Sequence, residues 1–187
     1  RIAHVSKYAK GLERQVRFES IGERLQKQSG ERMAKLATIA AFGFSDFNPP
    51  TLLDVYRRWG CQTCQFYRNP INPPVTADAR KLVSDLGIPF DSIHGLFGPE
   101  YDPSSPDEPT RKRTIAVYQR EGELSLALGG PKVVVHPAPM ALDPTTITPA
   151  TRAARKEPLR RSMIELAAIG QKLGVVYLIR SEEHTSE

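Results

Sequence analysis

From Leu36 to Ile179, short apolar runs alternate with segments of helical spacing, and glycine or proline marks nearly every junction. That alternation constrains the fold more than any other feature. A strand, a crossover helix and another strand place the two strands parallel, because the helix carries the chain back to the starting edge. The chain therefore reads as α/β.

Leu36–Phe42 is the first predicted strand, ended by Gly43. Asn48-Pro49-Pro50 opens a helix, with asparagine as cap and proline in the first turn. Leu52, Leu53, Tyr56 and Trp59 share its apolar face, and Gly60 stops it. Strand two is predicted over Thr63–Tyr67, and the next helix over Val75–Leu86, ended by Gly87. Strand three, Ile88–Ile93, leads to His94 and a loop from Gly95 to Ser104. Ser105-Pro106-Asp107-Glu108 has the spacing of a capping box for a helix that runs to Leu128. Gly129-Gly130-Pro131 breaks that helix before strand four, Lys132–Val135. A long loop with prolines at 137, 139, 144 and 149 precedes a helix predicted over Pro158–Leu173, with Leu159, Met163 and Leu166 on one face. Gly174 then leads into strand five, Val175–Ile179.

His94 and His136 each stand where an apolar run stops and an irregular stretch begins. Such runs read as strands buried on both faces, and a ligand-capable side chain at their C-terminal ends reads as an active-site position. Two strand ends of this kind in one chain point to an enzyme acting on a small molecule.

Charge speaks against nucleic acid. Residues 1–32 carry eight Lys/Arg against four Asp/Glu, which leaves 18 against 17 for residues 33–187, so the net +5 is concentrated in an N-terminal arm. A DNA-binding body would carry a basic stripe. No apolar stretch approaches the ~20 residues of a membrane span, and no leader pattern opens the chain. Cys61 and Cys64 form a lone CxxC between a helix stop and a strand, without further Cys or His at zinc-ligand spacing. They read as buried, reduced thiols of a cytoplasmic protein.

The ends stand apart from this pattern. Residues 1–32 begin with Arg1 and read either as a peripheral helix or as sequence translated in frame ahead of a start at Met33. Arg180–Glu187 follows an apolar strand without turn chemistry and resembles a translated sequencing adapter, so His184 is set aside as a site residue. The expected organisation is a basic extension (1–32), an α/β body (33–179) and a non-native tail (180–187).

Four segments carry a resemblance to a known family. They are Gly60-Cys61 leading into Gln65-Phe66-Tyr67-Arg68-Asn69, then Asp91-Ser92-Ile93-His94-Gly95, Val133-Val134-Val135-His136-Pro137, and Gly174-Val175-Val176-Tyr177-Leu178-Ile179. In this order and spacing they resemble the xylose isomerase-like superfamily of (β/α)8 barrels, the sugar phosphate isomerases and epimerases. The resemblance covers Met33–Ile179. It implies the N-terminal part of a TIM barrel, about five βα strands, incomplete, with the active site at the C-terminal mouth.

The chemistry it implies is proton transfer on an open-chain sugar or sugar phosphate through an enediolate. A divalent metal (Mn, Mg, Co or Zn) would be held by carboxylates and histidine in the full-length parent. His94, His136, Tyr67 and Asn69 would contact substrate, and His94 and His136 would assist a metal. The first metal glutamate of the family follows strand five, where this chain has Arg180. No catalytic acid or base is therefore assigned, and the 187-residue chain is expected to be inactive, to bind no metal by itself and to self-associate.

A homo-oligomeric parent is compatible with the resemblance. The alternatives are an apurinic-site endonuclease of the same superfamily and a non-enzymatic sugar-binding relative. Arg152, Arg155, Lys156, Arg160 and Arg161 could meet a phosphate but read as a solvated helix start. Glu100 and Asp102 are left as turn residues.

Overall fold

The computed structural model describes residues 36–138 and 148–180. The basic extension, the start at Met33, Pro139, Pro144 and residues 181–187 lie outside the described residues.

Among the described residues nine elements alternate: β1 (Ala37–Phe42), α1 (Pro49–Arg58), β2 (Thr63–Arg68), α2 (Thr76–Asp85), β3 (Phe90–His94), α3 (Glu108–Leu128), β4 (Lys132–Val135), α4 (Pro149–Leu173) and β5 (Val176–Ile179). The strands form one sheet in the order β1-β2-β3-β4-β5, every pair parallel. Consecutive parallel neighbours joined by helices are the early part of a (β/α) barrel wall. No helix among the described residues is long and apolar enough to cross a membrane.

The core lies between the sheet and its helices. Ala40, Phe42, Cys64, Phe66, Phe90, Ile93, Val133 and Val135 meet Leu53, Ala79, Val83, Ile115, Tyr118 and Leu166. Phe42, Phe66 and Phe90 pack together across three strands, tilted or edge-on, with centroids 5.2–6.1 Å apart. Each such ring, fully buried, is worth roughly 1.5–3 kcal/mol.

The other face of the sheet differs from the prediction. Register places Ile39, Gln65, Ser92, Val134 and Leu178 on it. Ile39 is 48% exposed, Val176 54% and Leu178 41%, so the edge strands β1 and β5 are open on this face, whereas Ser92 and His94 of β3 are buried on it. The apolar runs look uniform in sequence because both faces are built from similar side chains.

One irregularity positions the site. Cys64 pairs with Phe90, but Gln65 pairs with Ser92, so Asp91 is an extra residue on β3. Such a bulge inverts the alternation after it. Phe90 therefore points into the helix-side core, while Ser92 and His94 point to the opposite face. Gly130 makes room for the bulge: a Cβ there would lie 2.7 Å from the Asp91 carbonyl carbon.

Two helix starts differ from prediction. The α3 cap is Asp107, whose side chain accepts from the Thr110 N–H at 2.9 Å, and Glu108 grips Arg111 instead of closing a capping box. α4 starts nine residues early, at Pro149, capped by Thr148, with Pro158 inside it and buried. Alanine- and arginine-rich sequence before Pro158 favours helix, and packing of the proline offsets its missing N–H. Asn48 caps α1 as predicted, but Trp59 follows the helix as its C-cap and stays exposed.

Candidate active site

β3 ends on His94, and β4 ends one residue before His136. Ile93 and Val133 are paired, so the two exits lie side by side. Both rings are buried, at 8% and 2% exposure, and their Nε2 atoms stand 3.2 Å apart. His94 Nδ1 lies 3.2 Å from the Gly95 carbonyl oxygen. A carbonyl only accepts, so His94 carries its proton on Nδ1. With its proton on Nδ1, His94 can accept at Nε2 from the Nε2–H of His136. The pair forms a directed hydrogen bond.

Aromatic rings wall this pair. Tyr67 meets His94 edge-on at 5.0 Å. Phe97 lies 5.1 Å from His94 and 4.7 Å from His136, nearly parallel to Tyr67. Phe44 stacks on Tyr67 at 5.1 Å. Burial pushes the Tyr67 hydroxyl above its ordinary range, which keeps it a neutral donor.

Of the four residues predicted to line the mouth, Tyr67, His94 and His136 come together. Asn69 serves the turn after β2: its N–H donates to Phe42, and its Oδ1 accepts from the Ile71 N–H. Phe97 and Phe44 are the residues that sequence reasoning missed. The signal was an aromatic residue one or two positions past the glycine that follows a strand end, in Gly43-Phe44 and Gly95-Leu96-Phe97, read only for its glycines.

The nearby carboxylates are engaged elsewhere. Glu121 forms a buried pair with Arg68 at 2.5 and 3.0 Å on the helix side of the sheet. Asp102 accepts from Arg155 at 2.6 Å and from Ser104. Arg155 is therefore mostly buried rather than part of a solvated helix start, and Arg160 and Arg161 pair with Glu157 and Glu108. The expected divalent metal finds two imidazole nitrogens here, and no group of three His, Cys, Asp or Glu suited to a metal occurs among the described residues. Two donors fall short of a resident metal site. Cys61 and Cys64 are free and buried, with the Cys64 thiol pushed up to about 12 by burial, Asp91 and Cys61.

No protein-family model matches the chain, and no curated protein matches it in sequence. Solved structures do match in fold. An L-ribulose 3-epimerase superimposes with a TM-score of 0.61 at 21% identity, over 79% of this chain and 49% of the other. D-Psicose 3-epimerase from Clostridium cellulolyticum H10 gives 0.59 at 15%, over 77% and 51%. An AP endonuclease of family 2 from Brucella melitensis gives 0.55 at 13%, over 79% and 55%. The chain spans about half the length of these structures. The fold is thus the partial barrel that the resemblance implied, and the neighbours are chiefly sugar epimerases and isomerases.

Proposed function

We propose that the chain supplies the early-strand part of the substrate mouth of a sugar isomerase or epimerase. The single observation behind this reading is the His94–His136 hydrogen bond beneath an aromatic wall. A sugar hydroxyl both donates and accepts. Inserted between the rings, it would accept from His136 Nε2–H and donate to His94 Nε2, replacing one directed bond with two. The C–H face of the same sugar would lie on Phe97 and Tyr67, which exclude water from the hydroxyl contacts. His94 and His136 thereby bind and orient substrate.

Isomerisation or epimerisation would proceed by proton transfer beside a carbonyl, as the resemblance implies. Glu121 and Asp102 are held in ion pairs, so neither is assigned as acid or base. A divalent metal belongs to the proposal for the whole enzyme, where it would stabilise negative charge on substrate oxygens. No step above uses it.

The test is binding to the 187-residue chain. D-Psicose or L-ribulose is expected to bind in the millimolar range without turnover. His94→Gln and His136→Gln should each weaken binding about tenfold, the worth of one buried hydrogen bond. A duplex carrying an abasic site tests the nuclease reading. Tight DNA binding without sugar binding would replace the proposal.

A further inference from the structure

Tyr118 lies midway along α3, fully buried, and carries no chemistry in the reading above. Its hydroxyl donates to the Leu96 carbonyl at 3.0 Å and accepts from the His136 N–H at 3.2 Å. Leu96 follows His94 by two residues. One phenol therefore ties the backbone leaving β3 to the backbone leaving β4, at the two points that set where the imidazoles stand.

The neighbours of this ring fit that task. A Cβ on Gly95 would lie 2.6 Å from the Tyr118 ring and 2.5 Å from the Val134 carbonyl oxygen, so a residue without a side chain lets the phenol reach both exits. From behind, Tyr177 of β5 donates its hydroxyl to the Tyr118 carbonyl at 2.9 Å. The Tyr177 ring in turn packs over Gly170, where a Cβ would stand 3.3 Å from it. The phenol is thus gripped at its hydroxyl, along its ring and at its backbone.

We infer that Tyr118 is the positioning residue of the histidine pair, fixing the separation at which the two Nε2 atoms share a proton. The inference rests on the proposed function for what the pair does, and on these hydrogen bonds for its geometry. A phenylalanine would keep the packing and remove both ties.

The test is imidazole NMR on the full 187-residue chain. The wild type should show a ring-to-ring NOE between His94 and His136, with one donor and one acceptor Nε2 resonance. Tyr118→Phe should lose that NOE and bring the two Nε2 shifts together, and exchange of the His136 amide should rise roughly tenfold or more as its acceptor is removed. Tyr177→Phe removes a hydroxyl from the same neighbourhood without touching either exit, and it should keep the NOE. Gly95→Ala displaces the Tyr118 ring together with the Val134 carbonyl and should also lose the NOE, so the inference does not hang on one variant folding.

A folded Tyr118→Phe or Gly95→Ala chain that keeps the wild-type NOE overturns the inference. So does a wild-type His136 amide that exchanges as fast as an exposed one. Loss of the NOE in a protein whose wild type binds neither D-psicose nor L-ribulose would uphold the positioning role and remove the proposed function. Ketohexose binding beside an unchanged NOE in Tyr118→Phe would do the reverse.

Discussion

His94 Nδ1 is committed to the Gly95 carbonyl, so the other ring nitrogen is the one that meets His136. The direction of that bond, more than the presence of two histidines, makes the pair suited to a hydroxyl. The placement of both histidines at adjacent strand exits was legible from sequence, because each stands where an apolar run meets a glycine or proline. Phe97 was not legible, since an aromatic residue in a loop can pack in any direction. Tyr118 was hidden among apolar positions of a long helix, where a tyrosine looks like any other core residue. Two other buried groups make an alkaline prediction. Burial, with Asp91 and Cys61, raises the Cys64 thiol from an ordinary 9.0 to about 12. Burial, with Glu123 and Glu121, raises the Tyr177 hydroxyl from 10.0 to about 12. The folded state holds both protons more tightly than the unfolded state. Stability should therefore be intact below about pH 9 and fall as pH rises towards about 12, read as a declining urea midpoint. Cys64 should also resist alkylation near pH 8 until the chain is unfolded, since almost none of it is thiolate.

Between elements, ion pairs fasten α4 to α3 and to the loop after β3. Arg111 is buried and binds Glu108 and Glu165, while its Nη1 donates to Ser162, whose hydroxyl in turn donates to the Pro103 carbonyl. The hydrogen bond from Arg111 holds the Glu108 carboxyl down at about 2, below its ordinary 4.5. Burial pushes Glu165 upward, but hydrogen bonds from Lys112 and Arg111 outweigh it and leave it lowered. A depressed carboxylate contributes stability above its unfolded value and loses it below. The thermal midpoint should accordingly drop as pH falls from about 4.5 towards about 2. Arg155→Ala would leave the buried Asp102 carboxylate without its cation and should cost ~3–5 kcal/mol in urea unfolding. These links explain why the cap of α3 was misread. Ser105 and Glu108 have capping-box spacing, yet the Ser105 hydroxyl accepts from the Asp107 N–H and Glu108 is drawn to arginine. Local spacing shows which residues can cap, and tertiary partners decide which of them do.

Across the whole molecule, the strand–helix alternation carried the fold, because parallel neighbours joined by helices leave few topologies open. The bulge at Asp91 escaped it, since an extra residue leaves no mark on an apolar run. So did the split between a packed face and an open one, which depends on what stands opposite each strand. With β1 and β5 as the sheet edges and Ile39, Val176 and Leu178 exposed, the chain should self-associate as concentration rises. Val176→Lys should reduce that association in sedimentation velocity. In the proposed function the His94–His136 bond opens to admit a sugar hydroxyl. That opening is tested most directly by titrating a ketohexose into the dilute chain while following both Nε2 resonances. The two should move together and saturate, with Tyr67 and Phe97 ring protons shifting at the same concentrations. Resonances that stay still while the sugar binds elsewhere, or does not bind, would contradict it.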